Sequence, residues 1–138
     1  KTNTTLMVMA WNTNGLNNSV KRFQLNCDIV FLQETYMDIS LVSKLKARWV
    51  GWVFSSSFDS KSKGVAILIS RKVSFTELEV DRYMEGRYLI IRCIIEGSEL
   101  VLVNIYTPTS NPIPSYNRLQ NFLLKNIGKQ LIVGGDWN

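Results

Sequence analysis

Four short polar patches interrupt an otherwise apolar sequence: Asn12 and Asn14 in AWNTNG, Gln33 and Glu34 in FLQET, Asn104 and Tyr106 in VNIYTP, and Asp136 with Asn138 in GGDWN. Each stands where an apolar run ends. A carboxylate or amide in such a place either caps a neighbouring loop or points into a pocket shared with other strand ends. A single patch of this kind is more often a cap, but four together favour the shared pocket. Glu34 and Asp136 are the acids attached directly to the most apolar runs. If they converge with amide oxygens, they make a hard-oxygen site suited to Mg²⁺, with Mn²⁺ as the alternative ion. Such an ion polarises a phosphoryl oxygen, while a second carboxylate orients or deprotonates an attacking water.

Other chemistries are excluded by composition. The chain has no histidine and two cysteines, Cys27 and Cys93, which form no CxxC pair. A zinc site of the usual ligand type and any Ser/His or Cys/His nucleophile pair are therefore out. Both cysteines sit inside apolar runs and are expected to be reduced, buried thiols, which points to an intracellular protein. Sixteen basic residues against eleven acidic ones leave a net charge of +5, which suits an anionic partner without identifying one. Trp11, Trp49, Trp52 and Trp137 are expected in the core rather than stacked on bases. The runs containing Lys44, Lys46 and Arg48, and Lys61 with Lys63, are expected on the solvated surface. No apolar run reaches the roughly 20 residues of a membrane-spanning helix, so no membrane partner is expected. The chain begins at Lys1 rather than at a methionine, which suggests a piece of a longer protein.

The elements that must position these residues are mostly strands. Eight segments rich in Val, Ile, Leu, Phe and Tyr recur between polar breaks: TLMVMAWN, DIVFLQE, WVFSSS, GVAILIS, VSFTELEV, RYLIIRCII, ELVLVNIY and QLIVGGD. Several are almost uniformly apolar, the mark of a strand covered on both faces. VSFTELEV alternates, with Phe75 and Leu78 out of phase, as an edge strand would. Helix is expected over 115–127, where Tyr116, Leu119, Phe122, Leu123 and Ile127 follow helical spacing between a Ser115 cap and a Gly128 stop. A shorter helix is expected over 38–47, and three prolines confine 107–114 to a loop. Many strands with few helices predict an α/β (α+β) chain with a mixed β-sheet flanked by helices, in one domain over 1–138.

Five of these motifs, AWNTNGL, IVFLQET, GVAILIS, NIYTP and GGDWN, occur in the order and approximate spacing of the endonuclease/exonuclease/phosphatase superfamily, which includes the exonuclease III-like abasic-site endonucleases. NGLNNSVKR, SKSKGVAILIS and EGRYLIIR resemble most the endonuclease domain of LINE-type, non-LTR retrotransposons. The resemblance implies the first half of a four-layer α/β sandwich that cleaves the DNA phosphodiester backbone with Mg²⁺ in the nucleus. It implies that Glu34 binds the metal with Asn12 beside it, and that Tyr106 lies against the scissile phosphate. Asp136 would orient or activate water, and Asn138 would hold the phosphate or stabilise the transition-state oxyanion. Asn14 takes a supporting role and Gln33 is a structural neighbour. The Lys61 to Lys63 loop would lie near DNA.

The chain also departs from that family. Members continue beyond GGDWN into a histidine-bearing half, so this chain reads as a partial domain, inactive or nearly so by itself, whose parent protein would add that half or a reverse transcriptase. Between Arg22 and Asp28, FQLNC stands where a longer helix is usual. Without the second half, the inner face of the one sheet that this half would contribute lacks its cover, leaving a contiguous apolar patch exposed. The alternatives are a noncatalytic remnant that binds nucleic acid weakly, and a phosphatase of the same superfamily.

Overall fold

A computed structural model describes residues 5–12, 27–33, 35, 43, 49, 51–56, 64–82, 88–106, 116–126 and 128–136, with backbone alone at 11, 12, 106, 116–119 and 136. Among these residues all eight apolar segments form strands: β1 (Val8–Asn12), β2 (Ile29–Gln33), β3 (Gly51–Ser56), β4 (Val65–Ser70), β5 (Phe75–Arg82), β6 (Tyr88–Ile95), β7 (Ser98–Tyr106) and β8 (Gln130–Asp136). One helix, α1 (Tyr116–Lys125), lies between β7 and β8, inside the bounds expected from its periodicity. The helix expected over 38–47, the 107–114 loop and the FQLNC segment fall almost wholly outside the described residues.

The strands divide into two mixed four-stranded sheets, β1-β2-β4-β3 and β5-β6-β7-β8. Each contains one parallel pair at its edge, β1 with β2 and β7 with β8, and is otherwise antiparallel. The chain crosses from the first sheet to the second at residues 71–74, where Val73 N–H donates to the Ser70 carbonyl at 3.1 Å. The β6–β7 hairpin is the tightest connection. Glu96 and Gly97 both take positive φ, 50° and 81°, as a two-residue type I′ turn requires.

The two sheets pack face to face, which corrects the expectation of a single sheet with a bare inner face. Ile29, Phe31, Phe54, Val65, Ile67 and Ile69 from the first sheet meet Leu89, Ile91, Cys93, Ile95, Leu100 and Leu102 from the second. The opposite faces are covered too. Val30, Leu32, Ala66 and Leu68 are buried with Trp49, while Tyr88, Ile90, Val101, Val103 and Ile105 are buried with Phe122 and Leu123 of α1 against them. GVAILIS and VLVNIY are therefore enclosed on both sides by this chain's own elements, and the expected apolar patch on them is absent among the described residues. Among the described residues the exposed large apolar side chains are Met7, Val8, Trp52, Leu78, Leu124, Leu131 and Val133, none on the central strands.

Two local features have specific causes. The ladder between β5 and β6 shifts register between Glu77 and Glu79, so Leu78 is a bulged residue. The bulge inverts the alternation, and Phe75 and Val80 both reach the inter-sheet core although they stand an odd number of residues apart. β5 is an edge strand, as its pattern indicated. Trp49 is buried, as expected, and its ring N–H donates to the Ile69 carbonyl at 3.0 Å. Trp52 departs from the expectation: on edge strand β3 it is 37% exposed, tilted against Phe75 with ring centroids 4.9 Å apart at the rim of the sandwich.

Candidate functional site

The parallel pairs decide where the sequence-predicted residues go. Asn12, the last residue of β1, stands opposite Gln33, the last residue of β2. Tyr106, the last of β7, stands opposite Asp136, the last of β8. A parallel pair ends its two strands on the same side of a sheet, so each sheet presents two carboxyl ends together. Glu34 directly follows Gln33, and Asn138 follows Asp136 by two residues; both lie outside the described residues, as do Asn14, Lys61, Lys63 and Trp137.

What joins the two sets is Asn104, two residues before Tyr106. It is fully buried. Its side-chain Nδ2 donates to the Leu32 carbonyl at 2.9 Å and to the Ala66 carbonyl at 2.8 Å, both in the opposite sheet. Its Oδ1 accepts from Gln33 Nε2 at 2.9 Å. An amide has two donor hydrogens and a carbonyl oxygen, and all are engaged here, so the desolvation cost of burying it is met by hydrogen bonds. The carboxyl ends of β2 and β7 are thereby held side by side across the sandwich.

Gly134 makes the same approach from β8. It stands opposite Asn104 in register, and a Cβ there would lie 2.8 Å from Cγ of the buried Phe31 ring. Only a residue without a side chain lets β8 come this close to β2. From this contact the chain runs two residues to Gln33 on one strand and two to Asp136 on the other. Sequence reasoning placed Asn104 among the polar patches but gave it no role, and it did not single out Gly134. The signal was present in both cases: an amide within VLVNIY must find buried partners, and a glycine inside an apolar strand marks a close approach.

Thr35, beside Glu34, is also fully buried. Its N–H donates to the Gly64 carbonyl at 3.0 Å, which extends the β2–β4 pairing past Gln33. Its hydroxyl has no hydrogen-bond partner among the described residues.

Both cysteines are free thiols, Cys27 half-buried. Burial, and secondarily the Glu99 carboxylate, pushes the Cys93 thiol up to about 12, so it stays protonated and cannot serve as a thiolate ligand. Several described carboxylates away from the strand ends have other partners. Glu79 lies 3.4 Å from Arg92 Nε, and Glu99 lies 3.1 Å from Lys129 Nζ on the exposed side of the second sheet. No group of three His, Cys, Asp or Glu among the described residues could hold a metal ion. In the sequence, the residues that end or follow these strands include Asn12, Glu34 and Asp136, residue types whose oxygens Mg²⁺ prefers.

Comparison with known proteins identifies a family and similar folds. Residues 9–138 match the family described as Endonuclease/Exonuclease/phosphatase family. The chain is similar to the transposon TX1 uncharacterized 149 kDa protein of Xenopus laevis, 29% identical over 143 residues, which cover 96% of this chain and 11% of that protein. Its fold is similar to that of D. rerio TDP2 complexed with a single-strand DNA product, with a TM-score of 0.66 and 21% identity over 95% of this chain and 60% of that one. It is similar too to the endonuclease domain of TRAS1, a telomere-specific non-LTR retrotransposon, with a TM-score of 0.55 and 22% identity over 86% of this chain and 50% of that one. The chain thus spans about a tenth of the transposon protein and 50–60% of these two solved domains.

Proposed function

Because this chain belongs to the Endonuclease/Exonuclease/phosphatase family, we propose that it is the metal- and phosphate-binding portion of a DNA endonuclease domain of retrotransposon origin. It would hydrolyse phosphodiester bonds with Mg²⁺. The observation that carries this is the meeting of β1, β2, β7 and β8 at their carboxyl ends, tied across the sheets by Asn104. Those ends carry Asn12, Glu34, Tyr106 and Asp136, residues from opposite extremes of the chain.

Each residue then has a task set by its chemistry. The carboxylate of Glu34 and the amide oxygen of Asn12 would hold Mg²⁺. Bound there, the ion supplies Lewis acidity to a phosphoryl oxygen. Tyr106, at the end of β7, would contact the scissile phosphate through its hydroxyl. Asp136, opposite it on β8, would accept a proton from the attacking water or orient that water for in-line displacement. Asn138 would donate to a phosphate oxygen and stabilise the charge that develops there.

The similarity to a transposon protein and to a retrotransposon endonuclease domain supports DNA as substrate and a larger parent protein. With no histidine among its 138 residues, the chain alone lacks the imidazole that the family resemblance calls for, and we expect little turnover from it. The experiment is plasmid nicking with Mg²⁺, by this chain and by the longer parent protein. The parent is expected to nick and the chain alone to give no detectable product. Glu34→Ala or Asp136→Ala in the parent should lower the rate at least ~100-fold. Nicking by the parent that survives both substitutions would remove the site, and no Mg²⁺-dependent nicking would remove the nuclease.

A further inference from the structure

We propose that the Gln33–Asn104 amide pair is a positioning device for the metal site, setting the distance between the ends of the two sheets; this rests on the metal-dependent site proposed above. The structural reason begins with sheet spacing. Stacked sheets lie ~10 Å apart when aliphatic side chains interdigitate between them. An asparagine side chain is too short to reach backbone carbonyls across such a gap, yet Asn104 reaches two of them, Leu32 and Ala66. The backbones therefore converge at this end. Gly134 against Phe31 is an independent mark of the same convergence on the adjacent strand.

The opposite end of the sandwich is filled differently. There Ile95, Ile69 and Val73 meet Phe75, whose ring packs against Phe54 and Trp52 with centroids 5.8 and 4.9 Å away. Large side chains hold the sheets apart at that end, and amides and a glycine draw them together at the other.

The amides are not needed for burial. Isosteric apolar residues would fill the same space, and a satisfied buried polar pair adds little stability over such a replacement. What hydrogen bonds add is direction. Apolar contacts tolerate sliding of one sheet over the other, whereas three bonds of 2.8–2.9 Å from one side chain fix separation and offset together. A Mg²⁺ ion demands such accuracy, because its oxygen ligands sit at about 2.0–2.1 Å in near-octahedral geometry. Glu34 follows Gln33 by one residue, and Tyr106 follows Asn104 by two. The clamp thus fixes the end of β2, next to the proposed metal ligand Glu34, against the end of β7, which leads to the proposed phosphate contact Tyr106 in the other sheet.

The test is Mn²⁺ affinity measured by electron paramagnetic resonance, with the thermal midpoint of each variant recorded alongside. The variants are Asn104→Leu, Gln33→Met, the exchange Gln33→Asn with Asn104→Gln, and Ile95→Ala as a control in the same core at the far end. Asn104→Leu is expected to weaken Mn²⁺ binding at least tenfold and Gln33→Met about threefold. The exchange should recover affinity relative to Asn104→Leu. Ile95→Ala should lower the thermal midpoint and leave affinity within twofold. Unchanged affinity in a folded Asn104→Leu variant overturns the proposal, and so does equal weakening in Ile95→Ala, which would mean general destabilisation. If Asn104→Leu does not fold, Gln33→Met decides, since it leaves both carbonyl bonds of Asn104 in place. A wild-type chain that binds no Mn²⁺ overturns the metal site and the positioning role together, a result distinct from a wild type that binds and variants that bind equally well.

Discussion

Replacing Gly134 by alanine probes the approach of β8 to β2 with one added methyl group. The new Cβ would stand 2.8 Å from Cγ, 3.0 Å from Cβ and 3.1 Å from Cδ1 of Phe31. The nearest of these falls short of the ~3.5 Å carbon–carbon optimum by roughly 0.7 Å. Phe31 is only 1% exposed and is enclosed by the inter-sheet core, so its ring cannot swing into solvent. Either the ring leaves its rotamer or β8 backs away, and overpacking of this kind costs about 1–3 kcal/mol. At roughly 3–5 °C per kcal/mol for a chain of this length, the thermal midpoint should fall on the order of 3–15 °C. Urea denaturation of Gly134→Ala, Phe31→Ala and the double variant isolates the contact. Alanine at 31 removes Cγ and Cδ1 and should relieve the clash, giving a favourable coupling of about 1 kcal/mol or more. Additivity within ~0.5 kcal/mol would show that β8 does not press on Phe31, and the convergence of Asp136 toward the β2 end would lose its support.

Two further predictions concern stability alone. The Cys93 thiol is pushed up to about 12 from 9.0 by burial and, less, by Glu99. Folding then favours the neutral thiol, so its contribution is complete below pH ~9 and is lost as pH rises from there toward 12, by up to ~1.4 kcal/mol per pH unit. Urea midpoints at pH 8 and pH 10 should differ in wild type and differ less in Cys93→Ala; an equal drop in both would assign the pH dependence elsewhere. At the β6–β7 turn, Glu96 holds a φ of 50° that asparagine adopts more readily. Glu96→Asn should stabilise by about 0.5–1 kcal/mol, less the exposed bond that Ser74 N–H donates to the Glu96 carboxylate at 3.2 Å. A destabilised variant would mean that this bond outweighs the turn.

Local pattern was enough to read the elements of this protein. All eight apolar segments are strands and the Tyr116–Lys125 helix lies where its spacing put it, because alternation, uniform burial and helical periodicity are properties of neighbours in the chain. The phase fault at Leu78 was visible as a pattern, although only the β6 ladder explains it as a bulge. The proposal of hard oxygen donors rests on residue types alone, since a chain without histidine has few other donors to offer.

Which faces meet was not legible. A strand such as VLVNIY reports that both its sides are buried, and says nothing of whether the cover is a helix, a second sheet or another half of a domain. Here a second sheet from the same chain covers the inner face and α1 covers part of the outer one. The single-sheet expectation failed on that ambiguity. Asn104 and Gly134 gain their meaning only across the sheets, from partners 72 and 38 residues away for the amide and from Phe31 for the glycine. Such pairings depend on long-range packing, so only the tertiary structure could decide that the ends of β1, β2, β7 and β8 come together.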